Sequence, residues 1–186
     1  MPSALQPGEC IYVLRGDLMA TQIRAVIITV SDACSRGERQ DTSGEALVEL
    51  LKDIGARIVE KKIVNDDLEP LSHKLRAYAD LKDVNLIITT GGTGFGERDN
   101  TPEATLDVIE RAAPGLVEAM RIETLNNTPM AMLSRGVAGI RSGTLIVNLP
   151  GSPKAVRESF AIIKPVLGHA VELLAGETRH DKREVR

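Results

Sequence analysis

The chain has 186 residues, 42% hydrophobic and 26% charged, which suits one ordinary globular domain with a single well-buried core. A net charge of −3 and only 2% aromatic residues argue against a nucleic-acid partner, which would want a basic footprint or stacking platforms. Cys10 and Cys34 make no disulfide framework, His73, His169 and His180 lack metal-ligand spacing, and no apolar run approaches the roughly 20 residues of a membrane span, so no zinc or iron site and no membrane partner is expected.

Residues 1–20 carry Pro2, Pro7 and Gly8 and one brief apolar run, and read as an N-terminal arm without an assigned role. They lack the charged start and apolar core of a signal peptide, so the expected location is cytoplasmic. The first strand is expected at 23–30, nearly continuous in β-branched residues and therefore central. It runs out into Ser31-Asp32 and a polar loop holding Arg36, Arg39 and Asp41. Thr42 and Glu45 have capping-box spacing and open a helix that buries Leu47, Leu50, Leu51 and Ile54 and ends at Gly55. A second strand at 57–64 leads to Asn65-Asp66-Asp67, and a helix over 68–79 presents Leu71, Leu75 and Tyr78 on one face.

The run at 86–90 is a short buried strand, followed by Gly91, Gly92, Thr93 and Gly94 and an acidic loop. Thr101 is the expected hydroxyl N-cap of the next helix, with Pro102 at its first position. Ala113-Pro114-Gly115 breaks the pattern before a helix carrying Leu116, Met120 and Leu125, and 129–135 reads as a short helix. Strands at 137–141 and 144–149 are joined by a tight Ser142-Gly143 hairpin. Pro150-Gly151-Ser152-Pro153 then turns the chain into a last helix ending near Leu174, and 177–186 is a charged tail. Strands alternating with helices predict an α/β fold: a single domain over 21–176, with a mostly parallel sheet, helices on both faces and an antiparallel edge hairpin.

The ends of parallel strands gather on one sheet edge, beside helix N-termini, where such folds bind ligands. Three of these ends carry polar groups here: Ser31-Asp32, Asn65-Asp66, and the glycine loop leading to Asp99. GGTG after a strand is a phosphate-cradle candidate, and equally a tight turn when taken alone. Asp66 and Asp99 each fit a helix cap singly, but together beside the glycine loop they fit the one or two carboxylates that Mg²⁺ takes. Asp32 is a weaker third candidate. No lysine lies in the glycine loop; Arg98, Arg135 and Arg141 are nearby candidates for anion binding. Neither Cys34 nor any serine has the companions that nucleophilic catalysis requires.

Five stretches carry a family resemblance: ITVSD (28–32), IVNDD (63–67), TTGGTGFGERDNTPEAT (89–105), PMAMLSRGVAGIR (129–141) and TLIVNLPGSPKAV (144–156). The chain resembles the molybdopterin adenylyltransferases of the bacterial MogA type, and the related G domains of plant and animal molybdenum-cofactor proteins. The resemblance implies a three-layer α/β/α sandwich, commonly a homotrimer, that adenylylates molybdopterin with ATP and Mg²⁺ and releases pyrophosphate. It also implies transient contact with a molybdate-insertion protein. The family's two functional aspartates fall on Asp66 and Asp99, as catalytic and metal-holding residues. Substrate binding falls to Ser31, Asp32, Gly91, Gly92, Thr93, Gly94, Thr101, Glu103, Ser134, Arg135, Pro150, Gly151, Ser152 and Pro153. The SPKAV segment stands between the MogA and MoaB patterns, so the alternative implied is a non-catalytic molybdopterin-binding protein, MoaB-like or a scaffold. A different nucleotide-handling enzyme on the same fold is a further reading.

Overall fold

The computed structural model describes residues 21–176, so the expected arm at 1–20 and tail at 177–186 lie outside the described residues. In chain order the elements are β1 (Arg24–Val30), α1 (Asp32–Ser35), α2 (Thr42–Asp53), β2 (Arg57–Val64), α3 (Leu68–Ala79), β3 (Leu86–Thr90), α4 (Thr101–Leu106), β4 (Arg111–Ala112), α5 (Pro114–Thr124), a 3-10 helix (Pro129–Leu133), β5 (Ala138–Arg141), β6 (Thr144–Leu149) and α6 (Pro153–Leu174). The six strands form one sheet in the order β2-β1-β3-β6-β5-β4. β2, β1, β3 and β6 are mutually parallel, whereas β5 is antiparallel to β6 and β4 to β5.

Successive strand residues point to opposite faces, and here both faces are apolar. Ala25, Ile27, Leu86, Ile88, Leu145 and Val147 pack against α2, α5 and α6, with Leu47, Leu51, Met120 and Phe160 among their partners. Val26, Ile28, Ile87 and Ile146 pack against α3 and α4, through Leu71, Leu75 and Ala104. Two apolar layers on one sheet make the expected three-layer sandwich. Each fully buried side chain such as Ile27, Leu71 or Phe160 contributes about 1.5–3 kcal/mol. Among the described residues no helix is long and apolar enough to cross a membrane.

The far edge differs in detail from the sequence reading. The β5–β6 hairpin turns at Ser142 and Gly143, with φ of 48° and 80°, the left-handed pair that suits a two-residue hairpin. It lies one strand inside the edge, because the two residues of β4 pair outside β5. Such a strand is made by pairing rather than by propensity, so its sequence carries no signal. Two helix starts also move by one residue. The N-cap of α2 is Asp41, whose carboxylate accepts from Gly44 N at 2.8 Å, and Thr42 is the first helical residue. Asn100 precedes α4, and the Thr101 hydroxyl donates instead to Gly91 O at 2.9 Å. A four-residue helix, α1, occupies the start of the loop expected after β1, capped by Ser31.

Candidate active site at the carboxyl edge of the sheet

Because β2, β1, β3 and β6 are parallel and adjacent, their C-terminal ends lie side by side. They deliver Asp66, Ser31-Asp32, the glycine loop and the 150–153 turn to one edge, as expected. A cleft of about 580 Å³ opens there, with Ser31, Asp66, Gly91, Gly92, Asp99 and Ser152 in its lining.

The strand ends are tied together by backbone. Ser31 N donates to Val64 O at 2.9 Å, and Gly91 N to Leu149 O at 3.2 Å. The Thr90 hydroxyl donates to Pro150 O at 2.7 Å. Gly91 has φ 98°, and a Cβ there would collide with Val30 O, so only glycine lets β3 turn this close to β1. At Gly92, φ is 61°, and a Cβ would sit 2.5 Å from Thr101 Oγ1 and 3.2 Å from Asp66 Oδ1. The loop backbone therefore approaches the Asp66 carboxylate with no side chain between them.

Asp66 and Asp99 each have one oxygen held by a backbone amide, Asp66 Oδ2 by Asp32 N at 2.7 Å and Asp99 Oδ2 by Gly96 N at 2.8 Å. Neither bond uses the second oxygen. A Cβ at Gly94 or Gly96 would lie 2.9 Å from Asp99 Oδ2, so this stretch of loop wraps the Asp99 carboxylate as closely as glycine allows. Burial pushes the Asp66 carboxyl above its ordinary pKa, and the negative charges of Asp32 and Asp99 add to that push. Asp32 moves the other way, held below the usual carboxylate range chiefly by hydrogen bonds from Arg98. A half-buried carboxylate repelled by its neighbours is a place where a divalent cation relieves charge. Among the described residues no group of three or more His, Cys, Asp or Glu side chains is assembled for a metal. Asp66 and Asp99 could hold Mg²⁺ as a pair, with phosphate and water completing its shell, which is how Mg²⁺ is commonly bound.

Two helices of ordinary length begin at this cleft. Thr42 and Ser43 at the start of α2, and Ser152 and Pro153 at the start of α6, line it. Their dipoles favour an anion between them, while Gly44 N and Ala155 N are already taken by the caps Asp41 and Ser152. Ser152 Oγ caps α6 by accepting from Ala155 N at 3.2 Å. Arg39 donates to Ser31 Oγ at 3.1 Å and brings a positive charge to the same wall. This wall of Arg39, Gln40, Thr42 and Ser43 does not stand out in the sequence. Its only signal there is a polar loop entering a helix, which many surface segments share.

The arginines named from the sequence divide. The Arg135 guanidinium faces inward onto the loop, donating to Gly94 O at 2.6 Å and Asp99 O at 2.5 Å and pairing with Glu103. Its backbone amide donates to Thr93 O at 2.9 Å, so it braces the glycine loop from the β5 side. Arg98 bridges Asp32 and Asp67. Arg141 is placed at the opposite end of the sheet, bidentate to Asp80 at 2.9 and 3.0 Å, and takes no part in the site. Ser134 and Pro150 line a second cavity of about 250 Å³ beneath α5, which adjoins the cleft through Ser152.

A protein-family profile described as a probable molybdopterin binding domain matches residues 26–169. The chain belongs to this molybdenum-cofactor biosynthesis family, with relatives of both the MogA and MoaB kinds. It is 40% identical over 152 residues to the molybdopterin adenylyltransferase of Helicobacter pylori strain J99, covering 81% of this chain and 86% of that one. It is 42% identical over 152 residues to the molybdenum cofactor synthesis protein cinnamon of Drosophila melanogaster, covering 81% of this chain but only 25% of that longer protein. Its fold matches the crystal structure of the molybdopterin biosynthesis enzyme MoaB from Thermus thermophilus with a TM-score of 0.79 and 49% identity, over 83% of this chain and 98% of that one.

Proposed function

We propose that this protein transfers the adenylyl group of ATP to molybdopterin. The observation that carries the reading is the pairing of Asp66 and Asp99 across a cleft built for anions, with glycine backbone beneath them and the N-termini of α2 and α6 at its wall. The similarity to the Helicobacter pylori adenylyltransferase supports it.

In the proposed reaction a phosphate oxygen of molybdopterin attacks the α-phosphorus of ATP. The new P–O bond forms as the bond from the α-phosphorus to the β-bridging oxygen breaks, and the electron pair leaves with pyrophosphate. Two anionic reactants must meet, so positioning and charge stabilisation are the main demands. The Gly92 amide and the N-terminal dipoles of α2 and α6 favour phosphate oxygens in the cleft. Arg39 and Ser31 hold further oxygens at the β1 side, and Ser152 and Pro153 bound the cleft at the β6 side. Asp66 and Asp99 would hold Mg²⁺, which when bound supplies charge neutralisation to the triphosphate and the leaving pyrophosphate. Thr101 and Glu103 act from behind, by fixing the glycine loop and Arg135. Ser134 and Pro150 face the adjoining cavity, which suits the pterin portion. A cytoplasmic homotrimer that hands its product to a molybdate-insertion protein belongs to the same proposal.

The test is pyrophosphate release from MgATP with and without molybdopterin. Adenylyl transfer gives release only when both are present. The second reading, molybdopterin binding without turnover, is favoured by the 49% identity to the Thermus MoaB, and gives pterin binding with no pyrophosphate. ATP consumption without pterin would point instead to another nucleotide-handling enzyme.

A further inference from the structure

We infer that Arg98 is a positioning residue that locks the glycine loop to the ends of β1 and β2, holding Asp99 and Asp66 in register across the cleft. Three successive loop residues carry this inference. Arg98 Nε donates to Asp32 Oδ2 at 2.7 Å, and its terminal nitrogen donates to Asp32 Oδ1 at 3.0 Å and Asp67 Oδ1 at 2.9 Å. Asn100 Nδ2 donates to Asp66 O at 2.9 Å. The residues on either side of Asp99 are therefore both anchored on the Asp66 turn, while Asp99 itself turns back to Gly96 N. Asp32 completes the linkage, because its amide and carboxylate both bond to Asp66, at 2.7 and 3.1 Å.

Stability does not account for this arrangement. The Arg98 side chain is 58% exposed, and exposed ion pairs add little to folding. What the guanidinium supplies is geometry: a planar fork meets Asp32 with two parallel bonds and still reaches Asp67, which a lysine ammonium cannot reproduce. The guanidinium reaches outward from the loop to carboxylates, so its charge is matched by protein rather than left for substrate. The loop is thus braced on two flanks, by Arg98 toward β1 and β2 and by Arg135 toward β5.

The kinetic part of the test rests on the adenylyl-transfer reading; the structural part does not. Arg98→Met and Arg98→Lys are compared with wild type by amide hydrogen exchange, without metal or nucleotide, following segments 63–68 and 92–100. The inference expects exchange at least about tenfold faster in both segments for Arg98→Met, with melting little changed and partial recovery in Arg98→Lys. Faster exchange in the loop alone, or in neither segment, overturns it. If the wild type turns over, Arg98→Met lowers kcat by about 10–100-fold with KM for the pterin held within about twofold. A change confined to KM would make Arg98 a substrate contact and overturn the positioning role. A wild type without turnover removes the adenylyl-transfer reading, and the exchange measurement still decides the role of Arg98.

Discussion

Asp32 and Asp66 clasp each other reciprocally: each backbone amide donates to the other's carboxylate, at 2.7 and 3.1 Å. Two neighbouring parallel strands thus end in a shared pair of hydrogen bonds, with one carboxylate held low in pKa by Arg98 and the other raised by burial. This asymmetry separates the two roles. Asp32 is neutralised by a permanent partner, whereas Asp66 keeps an unbalanced charge facing the cleft.

Asp66→Asn keeps an oxygen for Asp32 N and removes only the charge. On the proposed adenylyl-transfer reading, turnover is expected to fall on the order of 10²–10³-fold, the size typical of losing one charged transition-state contact. Thermal melting should be unchanged or higher, since a repelled half-buried charge is gone. Asp99→Ala should lose activity to the same extent while the fold stays intact by circular dichroism. Either variant retaining most of its pyrophosphate release would remove that residue from the proposed metal-holding pair.

Gly91 lies at the point where β3 leaves the sheet, with φ 98° and Val30 O directly in the way of any Cβ. A backbone oxygen cannot swing aside as a flexible side chain can. Gly91→Ala is expected to destabilise the fold by on the order of 1–3 kcal/mol, the range for a residue forced into a poorly populated backbone region. Urea unfolding measures it; a midpoint matching wild type would show that the turn relaxes freely.

The layers of this fold were legible because β1 and β3 are runs of β-branched residues and the helices carry regular apolar stripes. The place of the cleft was legible too, since the strand ends at Ser31, Asp66 and Gly91 have to meet once their strands are parallel neighbours. What could not be read was how polar side chains choose between partners. Thr101 looks like a cap, but its hydroxyl lies nearer Gly91 O, a partner ten residues away that only the folded turn supplies. Asp41 outcompetes Thr42 for the α2 cap, being fixed as well by Thr29 and Lys61 on two neighbouring strands. Arg135 looks like an anion ligand, yet it is committed to loop carbonyls and Glu103. Periodicity reports burial. It does not report tertiary hydrogen bonds.

Away from the site, Asp80 predicts an acid-sensitive contact at the opposite end of the sheet. Hydrogen bonds from Arg141 first, and then from Ser142, hold its carboxyl below the ordinary range. A carboxylate with a depressed folded pKa adds stability above its unfolded pKa of about 3.9, and this is lost as pH falls from there toward the folded value. Asp80→Asn should therefore narrow the difference between urea midpoints at pH 7 and pH 3 relative to wild type. An unchanged difference would mean that the exposed pair contributes nothing measurable.

Asp41 couples the cap of α2 to the wall of the cleft. Its buried carboxylate accepts from Gly44 N at 2.8 Å and the Thr29 hydroxyl at 3.0 Å, and pairs with Lys61 at 3.0 Å. Gly44 has no room for a Cβ beside it. Asp41→Ala removes the cap and leaves buried groups without their partner, so a loss of roughly 1–3 kcal/mol is expected. Asp41→Asn keeps an acceptor for Gly44 N and gives up mainly the pairing with Lys61, which retains Glu45, so it should cost less. Because Thr42 and Ser43 line the cleft at the next positions, Asp41→Ala should also weaken nucleotide binding more than Asp41→Asn. Urea unfolding and nucleotide titration of the two variants give both rankings. Equal destabilisation with unaltered nucleotide affinity would disconnect this cap from the site.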